Sequence, residues 1–240
     1  MILGIMQPYF FPYLGYFELI ARSDQWIVFD VVQYNPKSWM NRNRILHPSE
    51  GWQYVSVPVA KAPRGTLICD IRVKDMEAAW NLVSGQLQHY KKRAPFFDQI
   101  IELVRDAFDG ARSDRLADLS VSGLVATCSY IKIPLNWTLC SEMDLDLSYI
   151  DHPGQWALKI ASQVGARKYI NPPGGREIFN PLEWEKAGIE LEFTEMPRFE
   201  YACPPYEFVE HLSILDVLMW NSPEKVKTFL NERRALDKSG

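Results

Sequence analysis

The segment Gln7-Pro8-Tyr9-Phe10-Phe11-Pro12-Tyr13-Leu14-Gly15-Tyr16 crowds aromatic rings around two prolines, which stiffens the backbone into a restricted loop. The hydroxyls of Tyr9, Tyr13 and Tyr16 and the amide of Gln7 could orient a sugar or a base, because the rings supply stacking area and the polar groups supply directed hydrogen bonds. Gly15 would let the backbone approach a ligand at the start of a helix, where N–H groups favour phosphate. A hydrophobic staple around the first helix is the competing explanation for the same rings.

A second group follows in Asp30-Val31-Val32-Gln33-Tyr34 and Ser38-Trp39-Met40-Asn41-Arg42-Asn43-Arg44. Arg42 and Arg44 are fixed cations whose planar forks suit phosphate or carboxylate, and Asn41 and Asn43 offer paired amide donors and acceptors. In a strand the two arginines would share one face and the two asparagines the other. Asp30 could act as a general base or anchor an ammonium group, with Gln33, Tyr34 and Trp39 as substrate contacts. An exposed hairpin carrying an Asp–Arg ion pair is the plainer reading.

The third group is Asn171-Pro172-Pro173-Gly174-Gly175-Arg176, where backbone N–H groups at Gly174 and Gly175 and the Arg176 guanidinium could hold an anion. It lacks the spacing of a phosphate-binding P-loop and reads equally well as a strand-to-helix turn. Among the four histidines, His152 is placed best for a general base, at a predicted helix opening; His47, His89 and His211 read as surface or core residues. The spacing Tyr13-Leu14-Gly15-Tyr16 echoes the His-x-Gly-His turn of nucleotidylyltransferases, but tyrosine replaces each histidine, so the cationic imidazole is missing. No G-x-S-x-G, H-E-x-x-H or G-x-G-x-x-G pattern occurs, which removes the usual support for serine hydrolase, zinc protease and dinucleotide dehydrogenase readings.

These groups need elements to carry them. Ile2 to Met6 reads as a buried strand, a helix begins near Tyr13 to Tyr16, and Gln25 to Phe29 reads as a second strand, which together make a βαβ unit. Alternation at Tyr54 to Val59 and at Ile68 to Val73 predicts further strands extending the sheet. Helices are predicted from Met76 to near Lys92, from Phe96 to Phe108 and from Ser113 to Tyr130, with Pro95 separating the first two. A strand follows at Ile131 to Leu139, then a helix opening at Asp151-His152-Pro153, a strand at Lys168 to Ile170, a helix from Pro181, a strand at Ile189 to Phe193 and one terminal amphipathic helix from Leu212 to Leu230. The expected fold is α/β, a mainly parallel sheet with flanking helices, related to the nucleotidylyltransferase-type Rossmann-like fold. It is expected as a single domain over residues 1–240 with a helical insertion at about 78–130.

Composition bounds the partners. The 240 residues carry a formal charge of −4, which gives no global positive field for nucleic acid. Cys69, Cys128, Cys140 and Cys203 lie far apart without metal-ligand spacing, so reduced thiols and no metal site are expected. The apolar opening has no basic leader and contains Gln7, Pro8, Pro12 and Glu18, so neither a signal peptide nor a membrane span is expected, and the protein is expected in the cytoplasm.

The runs QPYFFPYLGYFELI, FDVVQY and WMNRNRI, with Gly165 to Tyr169, Pro173 to Arg176 and Leu212 to Leu218, resemble the WbqC family, whose members occur in bacterial O-antigen and other surface-polysaccharide gene clusters. The resemblance implies work on an amino sugar: an acyl or aminoacyl group transferred to the amine of a nucleotide-linked sugar. Asp30 or His152 would then take the amine proton, and Arg42, Arg44 or Arg176 would hold phosphate or donor. Family members often carry two acidic residues before Val-Gln-Tyr and a Lys-Thr-Glu-Arg-like run at a later helix opening. This chain has Asp30-Val31 and Pro153-Gly154-Gln155-Trp156 there, which points to an altered substrate. Two other readings stay open: an ATP-dependent amide ligase with a degenerate nucleotidylyltransferase-like site, and a sugar-nucleotide binding protein without catalysis. An acyl donor or ATP is the co-reactant in question, and the terminal helix could serve a homodimer.

Overall fold

Side chains along Ile2–Met6, strand β1, alternate between two faces with the period of two expected of a pleated strand. Leu3 and Ile5 face one apolar core, and Ile2 and Met6 pack on another. In the computed structural model, which describes residues 1–195 and 198–236, the chain continues through helix α1 (Leu14–Arg22), β2 (Gln25–Val28), β3 (Arg42–Leu46) and β4 (Trp52–Ser56). Three helices follow, α2 (Met76–Leu87), α3 (Phe97–Asp109) and α4 (Leu116–Ile131). The last part holds β5 (Trp137–Leu139), α5 (Gln155–Gln163), β6 (Lys168–Asn171), α6 (Pro181–Lys186), β7 (Glu190–Phe193), α7 (Ile214–Trp220) and α8 (Pro223–Leu236).

Five strands form one parallel sheet in the order β5-β2-β1-β6-β7. Numbered by their own chain order, these strands run 3-2-1-4-5, the arrangement of Rossmann-type doubly wound sheets. The fold is α/β, with helices on both faces. On one face Leu3, Ile5, Ile27 and Tyr169 pack against Ala157, Ile160 and Ala161 of α5 and Trp184 of α6. On the other, Trp26, Val28 and Ile170 share a core with Phe17 and Ile20 of α1, with residues of α2, α3 and α4, and with α7 and α8. Gly4 permits the tight contact of β1 with β2, since a Cβ there would lie 2.5 Å from the Trp26 ring.

Three expectations are corrected. The strand at Trp52–Ser56 does not extend the main sheet: it pairs antiparallel with β3 as a separate two-stranded hairpin. Ile68–Asp70 is a short 3-10 turn, and only the isolated bridges Val59–Val73 and Arg72–Arg115 remain of the second predicted strand. The terminal helix is broken in two. Pro223 has no N–H to continue a helix, and the buried Asn221 amide donates back to the Val217 carbonyl at 2.8 Å, closing α7. No helix among the described residues is long and apolar enough to cross a membrane.

Candidate functional site

The chain leaves β1 into α1 on one face of the sheet and leaves the neighbouring β6 towards α6 on the other. Such a divergence opens a crevice beyond the carboxyl ends of the strands. A cavity of about 920 Å³ lies there. Met6, Gln7, Tyr9 and Tyr13 line it after β1, Phe29, Val32 and Gln33 after β2, and Asn171 through Gly175 after β6. Pro153 and Trp156 close it from the start of α5, while Trp39, Asn43 and Arg44 close it from the hairpin and His211 from the loop before α7.

Among these lining residues Arg44 is the sole lysine or arginine, and none is an aspartate or glutamate. Arg44 sits between two indoles, 5.5 Å from the Trp39 ring and 5.3 Å from the Trp52 ring, and one guanidinium nitrogen donates to the His211 carbonyl at 3.1 Å. A guanidinium held against aromatic rings is a fixed cation whose planar fork suits an anion. Burial raises the phenol pKa of Tyr9 and pushes that of Tyr13 up to about 12, with nearby Tyr9 and Glu18 adding to the effect. Both rings therefore stay protonated as hydrogen-bonding groups across the physiological range.

The aromatic loop is locked from behind. Phe11 takes a left-handed φ of 38°, an unfavourable conformation for a bulky residue that must be held by its surroundings. The Asn43 amide donates to the Phe10 carbonyl at 3.1 Å and the Phe11 carbonyl at 3.0 Å, and its oxygen accepts from the Arg44 N–H at 2.8 Å. Ser213, the cap of α7, donates its hydroxyl to the Phe11 carbonyl at 2.7 Å, and the Phe10 N–H reaches the Trp39 carbonyl at 3.0 Å. Asn43, only 4% exposed, thus reads as the clamp that shapes the loop.

Several expected site residues lie elsewhere. Asp30 is fully buried outside the cavity wall, with its carboxylate oxygens bound by the Ser141 N–H at 2.9 Å and the Ser141 hydroxyl at 2.6 Å. Burial raises its pKa and the Ser141 bonds oppose the rise, so the group ties the end of β2 to the end of β5. His152 lies outside the lining as well, with its ring 3.1 Å from Glu183 of α6, and the helix it was expected to open starts at Gln155. Tyr16 is buried and donates to the Gln7 carbonyl at 2.8 Å. Asn41 donates to the Val57 carbonyl, Arg42 stacks 4.3 Å over Tyr54, and Arg176 stacks 4.7 Å over Phe193. Those three, with Tyr34 and Gly15, are also absent from the wall.

Gln7, Tyr9, Tyr13, Gln33, Trp39, Asn43, Arg44, Gly174 and Gly175 are brought together. Gly175 is small for a packing reason, since a Cβ there would stand 2.1 Å from the Asn171 amide nitrogen. That asparagine is pinned, accepting from the Tyr169 hydroxyl at 2.8 Å and donating to the Pro172 carbonyl at 2.9 Å. Sequence reasoning missed Trp156 and His211. The His211 ring meets Tyr13 edge to face at 6.3 Å, and its backbone has a φ of 59°. Its signal was faint, because a histidine before a predicted helix is common and the contact joins residues about two hundred positions apart.

No solved structure matches the chain. Uncharacterized protein Rv1507c of Mycobacterium tuberculosis (strain ATCC 25618 / H37Rv) is similar, 27% identical over 218 residues that make up 90% of this chain and 91% of its own. The profile of the WbqC-like protein family matches residues 7–228, from the aromatic loop into α8. The chain therefore belongs to the WbqC-like protein family.

Proposed function

We propose that the large cavity binds a nucleotide-linked amino sugar and that the protein transfers an acyl or aminoacyl group to its amine. The observation that carries this reading is a cavity at the sheet's switch point with aromatic walls and, among its lining residues, one fixed cation and no carboxylate. Tyr9, Trp39 and Trp156 offer faces for a base or a sugar ring, and Arg44 suits the diphosphate. Among the described residues the wall includes no serine, threonine, cysteine or lysine, so direct attack fits better than an acyl-enzyme.

In that reaction the neutral amine nitrogen attacks the carbonyl carbon of an activated acyl donor. The C–N bond forms, the bond to the leaving group breaks with its electron pair, and the amine proton passes to a ring nitrogen of His211 and then to the leaving group. Asp30 and His152, the bases expected from sequence, leave this role to His211, which faces the cavity.

The test pairs calorimetric titration of a nucleotide diphosphate amino sugar panel with an amide-formation assay over activated acyl donors. Replacing Arg44 with Ala is expected to weaken sugar-nucleotide binding by about tenfold to a hundredfold, the range for a lost charge-assisted hydrogen bond. A His211→Ala change is expected to lower turnover by about a hundredfold or more with binding nearly intact. Full turnover by His211→Ala would remove the assigned base. Saturable binding with no turnover on any donor would make the protein a sugar-nucleotide binder.

A further inference from the structure

A second cavity, of about 250 Å³, lies against the first. The two share Tyr13 and His211, so this edge-to-face pair is the partition between them. The smaller chamber is walled by Leu14 of α1, Val217 of α7, and Phe199, Phe208 and Val209 from the loop between β7 and α7. Tyr201 closes another side, and its hydroxyl is already committed to the buried Asp216. Arg198 and Glu210 also border the chamber with side chains 75% and 52% exposed; one Glu210 oxygen is 3.6 Å from Arg198 and the other 4.0 Å from the His211 ring, so Glu210 flanks the ring from its solvent side.

Between that charged rim and the partition, Leu14, Phe199, Phe208, Val209 and Val217 leave a slot with apolar side walls and the His211 ring at one end. A slot of that shape suits a short apolar chain with its reactive head at the partition, because the chain gains from leaving water and the head keeps a hydrogen-bonding neighbour. We propose that the smaller cavity receives the acyl group of the donor, with its carbonyl at the Tyr13–His211 partition and its tail between Phe208 and Val209. The inference rests on the acyl-transfer reading of the larger cavity and assigns the second reactant its place. The amine nitrogen comes from the larger side and the carbonyl carbon from the smaller. His211 then stands where the proton leaves nitrogen, and the leaving group departs with the electron pair of its broken bond and takes that proton.

The experiment measures binding of straight-chain acyl thioesters of N-acetylcysteamine, from acetyl to octanoyl, to the intact protein by ligand-observed NMR. It is run with and without a saturating nucleotide amino sugar. Affinity is expected to rise by about fourfold per added methylene until the slot is full and then to stop rising. A Phe208→Ala change should move that stop to longer chains and Val209→Trp to shorter ones. Both residues are only half-buried, and circular dichroism checks folding; where the tryptophan variant does not fold, Phe208→Ala decides. A stop at the same length in wild type and Phe208→Ala, or no dependence on chain length, overturns the acyl slot whatever the nucleotide sugar does. A stop that moves while no nucleotide sugar binds supports the slot and overturns the proposed acceptor.

Discussion

Asp216 shows how a single carboxylate can be costly and still useful. It is fully buried in the first turn of α7 and accepts from the hydroxyls of Tyr90 and Tyr201, while the Tyr90 oxygen accepts from the Leu46 N–H at 2.9 Å. The network therefore ties α7 to the end of β3, next to the Ser213 cap that holds the aromatic loop. Burial pushes its pKa up to about 6, with the tyrosine bonds acting in the opposite direction. A raised folded-state pKa means that the native protein keeps a proton which the unfolded chain has released. Stability must then fall as pH rises from about 4 to about 6 and level off above that window. The upward shift of roughly two units corresponds to about 3 kcal/mol. Urea midpoints measured across the window are expected to show this loss in wild type and to lack it in Asp216→Asn, whose amide does not titrate. An identical slope in both proteins would clear Asp216 of the role.

At the scale of elements, legibility followed sequence distance. β1, α1, β2 and β6 were readable because each is a short run whose period is complete within itself, and the order of strands and helices implied a parallel sheet. The β3–β4 pairing was legible only in part: a hairpin was the plainer reading of the segment ending at Arg44 and a strand was expected from Tyr54, but the two were not joined, because Arg42–Leu46 looks polar until its pairing with Trp52–Ser56 is known. Asp30 was misread for a similar reason: a carboxylate just past a strand has the same sequence signature whether it faces a cavity or Ser141. Gln7 could be placed at the cavity because it follows the end of β1, and Arg44 because it sits mid-strand in the short β3, whereas His211 depends on a loop joining distant parts of the chain. The Pro153 to Trp156 segment, where the chain departs from the family pattern, does meet the cavity, since Pro153 and Trp156 both line it. The β6 turn offers an element-scale test. A Gly175→Ala methyl would collide with the pinned Asn171 amide, so either the turn or the Tyr169–Asn171 pair must move. Overpacking of this kind costs about 1 to 3 kcal/mol. The variant is expected to lose that much in chemical denaturation and to bind the nucleotide sugar more weakly. Gly174→Ala, whose Cβ would meet nothing within 4 Å, is the matched control and should do neither.

Across the whole molecule, the two cores lie on opposite faces of the sheet and the large cavity opens where walls from both meet. Ile5, Tyr169 and Phe179 reach it from one core, while Met6, Tyr9 and Tyr13 reach it from elements packed on the other. The helical segment α2 to α4 shares its core with α1, α7 and the sheet, so no apolar boundary separates it from the rest. Heating is therefore expected to produce one cooperative transition, with far-ultraviolet circular dichroism and tryptophan fluorescence coinciding; two resolved steps would instead divide the helical segment from the sheet. A ligand that binds only the native state must shift that transition upward. At a hundred times its dissociation constant it adds about 2.7 kcal/mol, which for a chain of this size is roughly 5 to 10 °C in Tm. A nucleotide amino sugar is expected to give this shift in wild type, with the two probes still coinciding because the ligand bridges walls from both cores. Arg44→Ala, at the same ligand concentration, should keep only about 0.4 to 1.4 kcal/mol of it, because a site weakened tenfold to a hundredfold then sees roughly ten to one times its own dissociation constant. The variant also loses the bond to the His211 carbonyl and the contacts with Trp39 and Trp52, so its shift is read from its own unliganded Tm, while Asn43 still holds the aromatic loop. A shift of equal size in both proteins would mean that the stabilising ligand sits somewhere other than against Arg44.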